Sequence, residues 1–149
     1  PMNEIAKLAI ASLKDGRKMY SSYDVGKQLD RQRGYLALDN FDYESLFSTT
    51  FGMNKADRIA TFDSGSTHAM TLTAVDLDKD GNPLKWKVEN SWGASNGVGG
   101  CFIMTNDWFN EYMFRLVVNN EYVPAELLKE YEQKPLMVMP EDPLFGEDM

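Results

Sequence analysis

The chain has 149 residues, of which 43% are hydrophobic and 26% charged, and this composition excludes a disordered or collagen-like protein. A chain of this length can bury its own core, so residues 1–149 are expected to form a single domain. A formal net charge of −8 without a basic stripe argues against a nucleic-acid partner, because phosphates would be repelled.

Residues 3–15 are predicted to form an amphipathic helix with Asn3 as its N-cap and Gly16 at its end. The next expected elements are a strand within 17–27, an aromatic-rich loop over 30–50 with its basic run at 30–33 exposed to solvent, and a short helix over 53–59 capped by Asn54.

Residues 67–75 and 84–91 both alternate apolar and polar side chains, and the turn-forming residues 79–83 separate them. The two segments therefore predict a β-hairpin, with His68, Met70, Leu72 and Ala74 on one face of its first strand. The elements expected after the hairpin are strands over 101–105 and 113–118, a helical turn over 107–112, a helix over 124–133 and an extended arm over 135–149.

His68, the only histidine, is the first candidate site residue. If the hairpin pairs symmetrically about Lys79, His68 faces Asn90 and Leu72 faces Trp86, and opposed Cβ atoms lie ~4.5–5.5 Å apart. The amide oxygen of Asn90 would then accept from the imidazole and fix its tautomer, as required for a general base. From spacing alone, a polar strand residue without a catalytic role is the favoured interpretation, and a β-bulge would shift the register.

The remaining candidates have simpler explanations. Trp92 is either a core aromatic residue or a shield over the His68–Asn90 bond. Cys101, the only cysteine, begins an apolar strand, so we expect a small hydrophobe rather than a nucleophile. A single thiol also excludes an internal disulfide and a Cys-rich metal site, and it is compatible with a reducing, cytoplasmic compartment.

No cofactor or metal is expected. Asp76, Asp78 and Asp80 begin a calcium-loop pattern, but Lys87 stands where that loop needs a glutamate, so a calcium-binding module is the weaker alternative. The glycines over 97–100 do not open a helix as a nucleotide-binding loop would. No apolar run approaches the ~20 residues that cross a bilayer, so no membrane contact is expected.

Several stretches resemble one family closely. "THAMTLTAV", "VENSWG", "MTNDWFNEY" and "EYVPAELLKEYEQKP" resemble the C-terminal part of the bleomycin hydrolase and aminopeptidase C family of papain-like cysteine peptidases. "DGRKMYSSYDVGK" and "MNKADRI" match its more N-terminal stretches in the right order, so the resemblance covers nearly all of the chain. It implies an α+β fold: a papain-like right-hand domain in which short helices flank a bent antiparallel sheet or half-barrel.

The resemblance also implies roles. His68 matches the family's catalytic histidine, Asn90 the asparagine that orients it, and Trp92 the tryptophan that covers both. The family's nucleophilic cysteine lies in an N-terminal portion that this chain lacks, and Cys101 does not match it. The implied activity is hydrolysis of peptides from their N-terminus, and the chain alone is expected to be inactive.

The implied partners are a peptide substrate, the missing cysteine-bearing domain and further copies in a hexamer. The arm over 135–149 would lie in the active-site cleft, although Glu147 and Asp148 depart from the expected tail. The chain opens at Pro1 directly into a helix, which favours a piece of a longer peptidase. The alternative is a stand-alone, non-catalytic binding or regulatory module that kept the fold.

Overall fold

The structure, a computed structural model, describes residues 1–143, and these form five α-helices and seven β-strands. The helices are α1 (Met2–Lys14), α2 (Tyr43–Phe47), α3 (Lys55–Ala60), α4 (Asn106–Tyr112) and α5 (Ala125–Tyr131). The strands are β1 (Met19–Tyr23), β2 (Leu29–Asp30), β3 (Tyr35–Leu36), β4 (His68–Leu77), β5 (Pro83–Glu89), β6 (Cys101–Thr105) and β7 (Met113–Leu116).

All seven strands join one curled sheet in the order β2-β3-β6-β5-β4-β1-β7. The β3–β6 pair is parallel and the other neighbours are antiparallel. Register shifts interrupt the β4–β5 and β1–β7 pairs, and such bulges bend a strand and increase its twist. The sheet therefore closes into a half-barrel flanked by short helices, which confirms the predicted α+β class.

The core is built between the sheet and helices α1 and α4. Trp86 of β5 stacks on Phe109 of α4 with ring centroids 4.4 Å apart, and both side chains are fully buried. The indole of Trp108 is buried beside them and donates to the Lys27 carbonyl at 2.8 Å. These aromatic contacts fix β5 and thus the strand end from which Asn90 follows.

Helix α1 begins one residue before the prediction. The carbonyl of Pro1 accepts from the amides of Glu4 and Ile5, so Pro1 takes the cap position and Asn3 lies inside the helix. The predicted end is confirmed, because the helix ends at Lys14 with Asp15 as its C-cap, and Gly16 follows with the positive φ of 73° that glycine adopts readily.

Helix α3 is capped as predicted, since Asn54 Oδ1 accepts from the Asp57 amide at 3.0 Å. Lys55 Nζ then donates to the carbonyls of Asn110 and Met113 at 2.9 and 2.6 Å, and Arg58 pairs with Glu111. The segment that leads into β4 is thereby attached to the end of α4.

The predicted hairpin exists, but its predicted register is wrong. Leu72 pairs with Val88 rather than Trp86, and Val75 pairs with Trp86. Bulges between Leu72 and Ala74 and between Asp76 and Leu77 break the assumed symmetry. Ala74 therefore lies exposed instead of on the buried face, and Val75 packs against the core in its place.

Residues 134–143 contain no α-helix or strand. The extended arm over 135–149 stays a prediction, and its last six residues, with Glu147 and Asp148, lie outside the described residues. None of the helices within residues 1–143 is long and apolar enough to span a bilayer.

Candidate active site

His68 and Asn90 are brought together at one end of the β4–β5 hairpin. His68 Nε2 lies 2.8 Å from Asn90 Oδ1, and the Ser91 amide donates to the same oxygen at 2.7 Å. Because an amide oxygen only accepts, Nε2 must carry the hydrogen in this bond. Nδ1 of the neutral ring then holds its lone pair, and this is the nitrogen available for proton transfer.

The pair forms although the residues are not directly opposed. Leu72 pairs with Val88, so the same register extended to His68 would place Trp92 opposite it. The rings of His68 and Trp92 stack with centroids 4.8 Å apart and planes at 29°. Asn90 reaches the imidazole from the diagonal position, and Trp92 covers it from the opposed one.

Trp92 is held by three neighbours. Phe102, which is fully buried, packs edge-on against the indole at 5.6 Å. Asn96 Nδ2 donates to the Trp92 carbonyl at 2.6 Å, and the Arg31 guanidinium lies 4.8 Å from the ring centroid. Arg31 is exposed, as predicted for the basic run, but no local sequence signal marks its contact with Trp92 across 61 positions.

The residues before His68 are tied to the end of β1. The Thr67 amide donates to the Tyr23 carbonyl at 3.0 Å, and the Thr67 hydroxyl accepts from the Val25 amide at 3.1 Å. One step earlier, Ser66 Oγ donates to Ser22 Oγ at 2.8 Å. The backbone of His68 is therefore fixed from β1, independently of the Asn90 contact.

A buried carboxyl supports the same segment. Asp24 Oδ2 accepts from Ser64 Oγ at 2.8 Å, and both residues are about 4% exposed. Burial raises the pKa of Asp24 above its ordinary value, while the Ser64 hydrogen bond and nearby Lys27 act in the opposite direction. This carboxyl anchors the loop before Thr67.

Cys101 and the acidic residues of the hairpin turn have structural roles. Cys101 is a free, half-buried cysteine at the start of β6, paired across the sheet with Glu89. The carboxylate of Asp78 closes the hairpin turn by accepting from the Asn82 side chain and from the backbone amides of Asn82 and Asp80, and these bonds hold its pKa below the usual range. Among residues 1–143, no group of three or more His, Cys, Asp or Glu side chains is arranged to hold a metal ion.

Known proteins resemble the chain over nearly its whole length. A model described as the Peptidase C1-like family matches residues 1–145. Aminopeptidase C of Streptococcus thermophilus is 42% identical over 144 residues, and human bleomycin hydrolase is 40% identical over 147. Both alignments cover 97% of this chain but 32% of the relative, so the chain spans about a third of their length.

A solved structure shows the same arrangement of elements. The crystal structure of PepW from Lactobacillus rhamnosis superimposes with a TM-score of 0.90 at 42% identity. It is matched over 96% of this chain and 32% of its own. The fold of the chain is therefore that of one third of a larger protein.

Proposed function

Since the chain belongs to the peptidase C1-like family, we propose that it supplies the acid/base half of the active site of a cysteine aminopeptidase. The observation that carries this proposal is the His68–Asn90 bond of 2.8 Å beneath Trp92. This bond leaves Nδ1 of His68 available for proton transfer. Contacts to both the backbone and the ring of His68 hold the residue in place. Several relatives are named aminopeptidases, which supports the reaction class.

In the proposed reaction, His68 Nδ1 accepts the proton of a cysteine thiol. The thiolate attacks the carbonyl carbon of the first peptide bond, and the imidazolium returns the proton to the leaving amine as the C–N bond breaks. Asn90 keeps the ring in the required tautomer and stabilises its cationic form. Trp92 excludes water from the hydrogen bond, which strengthens it.

The nucleophile comes from outside the 149 residues in this proposal. Cys101 lies on β6, paired with Glu89 of β5, and has a structural role in the sheet. Without the nucleophilic cysteine and the hydrogen-bond donors that stabilise the tetrahedral oxyanion, the chain alone has no peptidase activity.

The partner that brings the cysteine is a domain equivalent to the remaining two thirds of the relatives. An apolar surface supports such docking: the rings of Phe41, Tyr43 and Phe47 form a row around α2, each more than 40% exposed. Exposed patches of this kind mark interaction sites. We further propose assembly into a homo-hexamer in the cytoplasm, a peptide substrate, and no membrane or nucleic-acid partner.

A chimera tests the proposal. Residues 1–149 replace the matched third of Streptococcus thermophilus aminopeptidase C, and hydrolysis of an aminoacyl fluorogenic substrate is measured. We expect activity in the chimera, none in the isolated chain, and loss of activity with His68→Gln. A folded chimera that remains active with His68→Gln would refute the assigned role, and a folded chimera without any activity would favour the non-catalytic binding module.

A further inference from the structure

Arg31 makes two contacts that converge on Trp92. Its guanidinium carbon lies 4.8 Å from the indole centroid, and its Nε donates to Asn96 Oδ1 at 2.7 Å. Asn96 in turn donates from Nδ2 to the Trp92 carbonyl at 2.6 Å. Arg31, Asn96 and Trp92 thus form a closed ring of contacts, with His68 stacked on the same indole.

The turn that carries Arg31 is fixed in place by its backbone. Gly97 donates to the Arg31 carbonyl at 3.3 Å, and Ile103 donates to the Gly34 carbonyl at 2.8 Å. The fit is so close that a Cβ on Gly34 would lie 2.6 Å from the Gly97 Cα. The turn over 30–34 therefore packs directly against the glycine-rich loop over 97–100, which fixes the backbone position of Arg31.

From these contacts we propose that Arg31 is a positioning residue for the acid/base pair, holding the Trp92 indole against His68. The inference rests on the proposed function for its catalytic meaning. A cation over the face of an indole is attracted by the ring quadrupole. A guanidinium can stack and donate sideways at the same time, whereas an ammonium is a point charge without that fork.

The neighbouring Arg33 lacks this role although it sits in the same turn. Its side chain pairs with Asp30, and its amide donates to the same carboxylate at 2.9 Å. Removal of Arg33 therefore changes the net charge by the same amount as removal of Arg31 while leaving the contacts to Trp92 intact. Arg33→Met is the matched control.

Proton NMR of the 149-residue chain reads the stacking directly. His68 is the only histidine, so its two ring C–H signals are assigned without ambiguity, and an indole stacked on the ring displaces them by its ring current. A Trp92→Leu variant provides the unstacked reference position. All spectra are taken at one pH, and thermal unfolding of each variant shows that it is folded.

We expect the ratio of stacked to unstacked Trp92 to fall roughly two- to fivefold in Arg31→Met, the change that an exposed cation–π contact supports. The His68 signals should then move toward the Trp92→Leu position, with Arg31→Lys intermediate and Arg33→Met unchanged. His68 signals that superimpose on those of the parent chain in both Arg31 variants would overturn the proposal, as would an equal displacement in Arg33→Met.

The readout needs no peptidase chemistry. An inactive chimera together with displaced His68 signals would refute the proposed function and leave the positioning of Trp92 by Arg31 standing. An active chimera with unmoved His68 signals would do the reverse. The two proposals therefore fail separately.

Discussion

Replacement of Gly97 by alanine probes the packing that holds Trp92 over His68. A Cβ at Gly97 would lie 2.5 Å from the Cys101 carbonyl oxygen and 2.5 Å from ring atoms of Phe102. Phe102 is fully buried and packs edge-on against Trp92, so it has little room to withdraw. The backbone at Gly97 also has a positive φ of 62°.

Gly99 provides a control with the same backbone conformation. Its φ is 60°, but a Cβ there would have no atom within 4 Å. Alanine at Gly99 therefore carries only the left-handed backbone penalty of about 1–2 kcal/mol. Alanine at Gly97 adds overpacking of about 1–3 kcal/mol, which gives a total loss of roughly 2–5 kcal/mol.

Urea denaturation followed by circular dichroism measures both variants. We expect Gly97→Ala to unfold at a lower urea midpoint than Gly99→Ala with similar m values, which identifies the difference as stability of the folded state. The His68 ring signals should also move in Gly97→Ala only. Equal midpoints for the two variants would refute the inferred contact between the glycine-rich loop and Phe102.

Three further predictions concern the surroundings of the site. Lys55→Met removes the donor to the Asn110 and Met113 carbonyls and should lower the free energy of unfolding by about 1–3 kcal/mol. The control Lys129→Met, at an exposed position, should change it by less than about 0.5 kcal/mol. Equal losses in the two variants would contradict the anchoring of α3. Because burial raises the pKa of Asp24 above 3.8, its neutral form stabilises the fold below that pH and the benefit is lost as the pH rises through the folded pKa. The stability of Asp24→Asn relative to the parent chain should therefore increase as the pH rises from 3.8 through the folded pKa of Asp24, and a constant difference would contradict the raised pKa. Phe47 is 63% exposed, so Phe47→Ser should reduce self-association of the isolated chain in sedimentation experiments, and a monomeric parent chain would contradict this prediction.

The sequence predicted the hairpin and the meeting of His68 with Asn90, but for a partly wrong reason. Alternation identified both strands, but it did not locate the bulges that shift their register. The side chain of Asp78 also closes a turn reaching from 78 to 82, which moves its centre one residue past the assumed Lys79. The His68–Asn90 hydrogen bond still forms in the observed register because Asn90 reaches the imidazole from the diagonal position.

The contacts of Arg31 could not be predicted from the sequence. Strands β2 and β3 have two residues each, too few for a period, and β3 pairs in parallel with β6 across 68 positions. Their placement depends on the close approach of Gly34 to Gly97, a tertiary contact rather than a local preference. The loop predicted over 30–50 is wrong in part, because the structure places β3 and the short helix α2 within it, and the sequence did not identify its docking partner either.

In the proposed function, His68 activates a cysteine that a domain outside residues 1–149 supplies. A cysteine paired with an imidazolium is present as the thiolate, and reacts as such, at pH values well below the ordinary thiol pKa of ~8.5. The direct measurement is the rate at which iodoacetamide alkylates the active-site cysteine of the chimera at mildly acidic pH, compared with His68→Gln. We predict fast alkylation in the chimera and the slow rate of an ordinary thiol in His68→Gln, whereas equally fast alkylation in both would contradict the claim.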